Sequence, residues 1–394
     1  MQIAAELTSK LVEELILELN DETDRDPLTL LEWAEMHDAR PLLASAWQSE
    51  GADLSPGLAH EVALFRERAA GHRRLFDELS SAVGGIEAVK GFRIAELYPS
   101  GWVRGGKDLD VRATTQETVW RVVRYLLDRG WQCGGAFLQR IGREDVMSVV
   151  LTSTSLDPMV LRPEAVEVGP TVFAPGNFFG LGPLATHELD EPLPPLVSHF
   201  LGILEQRLER GVTVRDVVDS VVLLQAMSTS DLDDLWRIVD RLLLWKELGE
   251  VAFVLDTLEL VPQDALLPAR FAPQQQRARQ ARTVRALQRA ATVPVLARYV
   301  AHKAATAQWK GNLAQDVAAR LPRVVPAMRV LAAGLPLVGA PIAREVTSDG
   351  LRLDVVEGNL VATCPAGAFL LLYGREYDEQ VAARVRAHLG QPAG

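Results

Sequence analysis

The chain has 394 residues, 48% apolar and 24% charged, which is the composition of an ordinary globular protein and enough length for two or three packed units. Its two cysteines, Cys133 and Cys364, lie far apart, so there is neither a disulfide framework nor a zinc spacing, and a reducing cytoplasm is expected. The net charge of −11 is uneven: residues 270–329 hold 12 Lys or Arg against one acid, Asp316, while the remainder holds 29 bases against 51 acids.

The opening MQIAAELTSKLVEEL puts acids where an export signal carries bases, so export is not expected. Residues 1–82 read as an N-terminal helical region. Leu7, Leu11, Leu15 and Leu19 recur every fourth residue, Pro27 suits a first helical turn, and Pro56 marks a later boundary. A mixed α/β core is expected over 83–192. It begins at Gly84-Gly85 with the short apolar strand IEAVK, and GFRIAEL opens a helix that ends at Tyr98-Pro99-Ser100-Gly101. KDLDVRA alternates as a half-buried strand does. Residues 115–129 form an amphipathic helix closed by Gly130, followed by strand candidates at 136–141 and 146–152. Proline and glycine then punctuate 163–195.

A helical domain is expected over 193–340, with apolar stretches at 217–227 and 324–340 that are too short or too interrupted to span a bilayer. Over 341–394, LRLDVV and LVATC predict a small β-meander, followed by a last helix over 376–389. The fold class is therefore α+β.

The chemistry is expected at KDLDV. On a strand, residues two apart share a face, so Asp108 and Asp110 project together while Leu109 and Val111 turn inward. Paired carboxylates repel, and a hard cation such as Mg²⁺ relieves that repulsion while bridging substrate phosphates. A second ion can serve an in-line displacement at phosphorus. Val-Lys-Gly at 89–91 ends a strand and begins a helix, a place where backbone N–H groups favour phosphate. Arg104, Gly105, Gly106 and Lys107 directly precede the pair. The alternative for an isolated DxD is a solvated strand face.

These residues carry a resemblance. GIEAVKGFRIAELYPSGWVRGGKDLDVRA, LLDRGW and VSHFLGILEQRLERGVTVRDVVDSVVLL look like the uncharacterised bacterial nucleotidyltransferase-like family of the polymerase-β-type superfamily, over roughly residues 84–227. Members occur near natural-product and peptide-modification genes. The resemblance implies a nucleotidyltransferase-like mixed sheet and metal at Asp108 and Asp110. It also implies substrate binding by Lys90, Gly91, Arg104 and Lys107. Two features depart from it: Gly91-Phe92 stands where Gly-Ser or Gly-Gly is usual, and VMSVVLTSTS lacks the third carboxylate expected on a neighbouring strand. Glu144 and Asp145 begin that segment but read as turn residues. His199 reads as a packed or surface histidine, the alternative being a place facing the cleft, and Asp216 and Asp219 as capping or pairing acids, the alternative being a site role.

Two functions follow. One is Mg²⁺-dependent transfer of a nucleotidyl group from an NTP to a small-molecule or peptide hydroxyl. The other is an inactive scaffold that binds a peptide, carrier or partner enzyme. For the basic segment the readings are packing against acidic helices or an anionic partner. Nucleic acid is disfavoured because the rest of the chain is so acidic.

Overall fold

A computed structural model describes residues 7–20, 26–106, 108–141, 143–153, 164–170, 193–207, 211–261, 263–291, 327–332, 337–344, 348–372 and 378–389. The chain is α+β, with N-terminal helices, a helical middle region and a mixed nine-stranded sheet ending in antiparallel strands. It divides into two compact units, 1–78, 88–109 and 191–279 in one, 79–87, 110–190 and 280–394 in the other.

The first unit is helical. Helix α1 spans Ser9–Asn20, α2 Pro27–Met36, α3 Arg40–Ser49, and α4 begins here as part of Pro56–Val83. Asp26 caps α2 by accepting from the N–H groups of Leu28 and Thr29, with Pro27 in the first turn where its missing N–H costs nothing. The short α5 spans Gly91–Ala95. Helices α7 (Pro195–Gln206) and α8 (Val214–Ala226) are buried along nearly their whole length, and α9 (Thr229–Leu242) and α10 (Trp245–Thr257) pack with them. Thr213 and Ser228 begin α8 and α9 with reciprocal capping boxes to Asp216 and Asp231. The short α11 (Gln263–Leu266) precedes α12 (Phe271–Ala291), whose Phe271 meets the buried Trp245 edge-on at 6.2 Å between ring centres.

The second unit holds most of the sheet. Its strands are β1 (Ile86–Val89), β2 (Asp108–Ala113), β3 (Gln132–Ile141), β4 (Glu144–Thr152) and β5 (Ala165–Gly169), then β6 (Leu337–Ala343), β7 (Arg352–Val356), β8 (Asn359–Cys364) and β9 (Gly367–Leu372). The order across the sheet is β1-β2-β5-β4-β3-β6-β9-β8-β7. The tail strands join the same sheet as the central ones, because β6 pairs with both β3 and β9.

Helix α6 (Gln116–Leu127) covers β3, β4 and β5 with Val119, Trp120, Val122, Val123 and Leu126, all buried. Its Gln116 side chain bonds both the N–H and the carbonyl of Met147, satisfying the β4 backbone beyond the end of β5. Helix α13 (Ala327–Ala332) packs on β3, β6 and β8, and α14 (Glu379–His388) on β6.

Gly367 opens β9 at φ +123°, and a Cβ there would collide with the Ala343 carbonyl oxygen. Gly130 also has positive φ but nothing near it. Gly367→Ala is therefore expected to cost about 3 kcal/mol and Gly130→Ala about 1 kcal/mol in urea unfolding. Equal costs would show that the backbone near Gly367 yields.

Candidate functional site

Strand β2 alternates as its sequence requires. Leu109, Val111 and Ala113 are buried, Asp108 is exposed, and Asp110 and Arg112 are half-buried. Lys107 lies outside the described residues. The loop leading to β2 is fixed from inside. The Val103 N–H donates to Ser45 Oγ at 2.7 Å, and Arg104 is buried. Its Nε and Nη2 donate to the two oxygens of Asp219 on α8 at 2.8 and 2.7 Å, a fork-to-carboxylate pair. Tyr98 donates to the same carboxylate at 2.6 Å. Burial, then the Asp219 charge, pushes the Tyr98 hydroxyl well above its ordinary pKa, so it remains a donor.

Lys90 is held in a similar way. Its backbone has φ +61°, unusual for a residue with a side chain, and Gly91 follows at φ +52°. Three features of α7 accommodate it. His199 Nδ1 accepts the Lys90 N–H at 3.2 Å, Glu205 takes the ammonium at 3.2 Å, and Gly202 leaves room for the stem. A Cβ at Gly202 would lie 2.5 Å from Lys90 Cε. His199, Gly202 and Glu205 recur every third residue and so share one helix face. Two of the cations expected at phosphates therefore meet internal carboxylates, and Asp216 likewise holds the buried Arg207 at 2.7 Å.

On α4, His72 is buried, and its Nε2 has no hydrogen-bond partner. Burial lowers its pKa, while the nearby Asp108 charge acts in the opposite direction and Arg68 reinforces the lowering. The periodicity of residues 1–82 did not mark His72, since its relation to Asp108 appears only on folding.

Glu144 and Asp145 lie at the β3–β4 hairpin, as their reading as turn residues requires. Asp145 is held by Arg140 through two 2.7 Å hydrogen bonds across the β3–β4 hairpin, and Glu144 begins β4 opposite Ile141. In the sheet β2 lies between β1 and β5, and β4 comes only after β5. Strand β5 carries Glu167, half-buried between the fully buried Val166 and Val168 and opposite Val150 of β4. Sequence reasoning missed Glu167 because AVEVG lies in the stretch punctuated by proline and glycine. Its apolar-acid-apolar alternation was the available signal.

Among the described residues, no group of three or more His, Cys, Asp and Glu side chains is gathered so that it could hold a metal ion, and no helix is long and apolar enough to cross a membrane. Cys133 and Cys364 are free thiols, pushed up to about 11 and about 12, in each case chiefly by burial. Comparison with protein-family models, curated proteins and solved structures finds no match.

Removing one member of a buried ion pair leaves the other uncompensated. Asp219→Ala is expected to cost roughly 3–5 kcal/mol in urea unfolding, against less than about 1 kcal/mol for Arg73→Ala at the exposed Arg73–Glu96 pair. A small effect at Asp219 would mean that water reaches Arg104.

His72 gives a pH dependence. Its folded pKa is lowered, so the unfolded chain takes the proton first. Neutral His72 thus supports the fold above its ordinary value near 6.5, and that support is lost as pH falls. Between about pH 7.5 and 5.5, Tm should fall more steeply in wild type than in His72→Gln. Parallel profiles would remove the assignment.

Proposed function

We propose that the chain is a metal-dependent nucleotidyltransferase that moves a nucleotidyl group from an NTP to a hydroxyl of a small molecule or peptide. The observation that carries this reading is an acid-bearing alternating strand, β2, with a second acid-bearing strand, β5, beside it in the sheet. In both strands the acids occupy the less buried positions, alternating with buried apolar side chains. The sequence resemblance over residues 84–227 points the same way.

The donor set fits a hard cation that arrives with nucleotide phosphates. Two carboxylates plus phosphate oxygens are a usual Mg²⁺ environment, and no third protein ligand is required. Asp108 and Asp110 would hold Mg²⁺, in one or two ions, and the ion would supply neutralisation of charge on the phosphates. Glu167 would accept the proton of the attacking hydroxyl. The acceptor oxygen then forms its bond to the α-phosphorus as the bond to pyrophosphate breaks.

Lys90 and Arg104 would act by fixing the turn before α5 and the loop before β2, since each charge is already engaged with a carboxylate. Gly91 would offer backbone to the phosphates, and Lys107, next in sequence to Asp108, would add a cation for them. A cytoplasmic setting and a role in natural-product or peptide modification complete the proposal. The rival reading, a scaffold that binds without transfer, is favoured by that same internal neutralisation of Lys90 and Arg104.

Calorimetric titration of ATP, GTP, CTP and UTP, with and without Mg²⁺, tests both. Mg²⁺-dependent binding of at least one NTP is expected in wild type, weakened about 10-fold or more in Asp108→Ala/Asp110→Ala. Glu167→Gln should keep that binding but release pyrophosphate to a hydroxyl acceptor about 100-fold more slowly or worse. A folded wild type that binds no NTP would sink the transferase reading. Binding without turnover in any condition would favour the scaffold.

A further inference from the structure

Strand β7 is an edge of the sheet, hydrogen-bonded to β8 alone among the described strands. Its register with β8 runs without a shift from Arg352↔Thr363 to Val356↔Asn359. The connecting residues Glu357 and Gly358 both have positive φ, at 49° and 77°, as a two-residue type I′ turn requires. In such a hairpin the pair flanking the turn exchanges both hydrogen bonds, and alternate pairs follow suit. Arg352, Asp354 and Val356 therefore direct their N–H and C=O groups at β8. Leu353 and Val355, with Leu351 just before the strand, direct theirs away from it.

The side chains divide along the same lines. Val356 points into the cluster beneath α14 with Val361, Leu370 and Val385, so Arg352 and Asp354 share that face. Leu351, Leu353 and Val355 lie on the other face. Leu351 and Leu353 are half-buried, and Val355 is 61% exposed, unusual for a β-branched residue on a strand. Arg352 and Asp354 are also exposed, and their contact along the strand is long at 3.7 Å.

We propose that this edge is the interface of a homodimer, in which β7 pairs antiparallel with β7 of a second copy about a two-fold axis at Leu353. An isologous interface must be self-complementary, and Leu351-Arg352-Leu353-Asp354-Val355 is. Antiparallel pairing about Leu353 sets Arg352 opposite Asp354 of the second copy, twice over. It sets Leu351 opposite Val355 and Leu353 opposite itself, aligning the outward backbone groups for about six main-chain hydrogen bonds. Sliding the axis by one residue places Asp354 on Asp354 or Arg352 on Arg352. Like charges thus exclude the neighbouring registers, and the same two charges discourage pairing with unrelated edges.

Sedimentation of the full chain over a concentration series up to about 100 µM tests this. A monomer–dimer equilibrium is expected in wild type. Asp354→Arg places arginines opposite one another at both symmetric positions and should weaken dimerisation about 10-fold or more. The double exchange Arg352→Asp/Asp354→Arg restores opposite charges and should recover wild-type association. All three chains should show the same circular dichroism, since both positions are exposed. A chain that stays monomeric overturns the proposal. So does a dimer indifferent to the single reversal, or one that the double exchange fails to restore.

Discussion

A charge taken out of water has to meet an opposite charge, and among the described residues of the helical unit Glu205, Asp216 and Asp219 on α7 and α8 meet that requirement. Glu205 meets Lys90, Asp216 meets Arg207 and Asp219 meets Arg104. Replacing such pairs by apolar residues is often neutral or stabilising, so their net contribution to stability is small. Their geometric demand is large, because each works only when both partners sit in one arrangement. Two of the three partners lie in irregular segments, the turn before α5 and the loop before β2. Such segments have no ladder to define them, and the buried carboxylates supply that definition.

Gly202 and Gly105 show how tightly the demand reaches into the backbone. Without a glycine at 202, the Lys90 stem has no room beside α7. Gly105, at φ +76°, follows Arg104, a backbone conformation that a residue with a side chain adopts only at a cost. The polar network and the backbone conformation are therefore one structure.

Local patterns were legible in the sequence. KDLDVRA gives β2 by alternation, the apolar face of 115–129 gives α6, Gly130 closes that helix at φ +84°, and LRLDVV and LVATC give β7 and β8. What stayed hidden was which strand lies beside which. Antiparallel neighbours joined by tight turns, such as β3 and β4, announce themselves, whereas β5 sits between β2 and β4 by non-local pairing that no short window encodes. The placement of Glu167 on the strand after β2 in the sheet order was therefore not legible either. Partner choice was hidden too. Lys90 and Arg104 carry charges that suit phosphate, and only the fold assigns them Glu205 and Asp219, more than a hundred residues away.

That assignment changes what the strained turn at Lys90 signifies. A non-glycine residue at φ +61° costs on the order of 1–3 kcal/mol, and a glycine there would adopt the same backbone with little strain. A glycine, however, would give up the bond to Glu205 and leave that carboxylate, nine-tenths buried, beside an empty space above Gly202. The lysine is thus tolerated because its side chain completes α7. The consequence runs along the chain: with the Lys90 N–H bound to His199, the next backbone N–H is that of Gly91, at the start of α5. If phosphate is recognised at this turn, the backbone after the lysine is the part left to do it, and the lysine serves by holding that backbone in place.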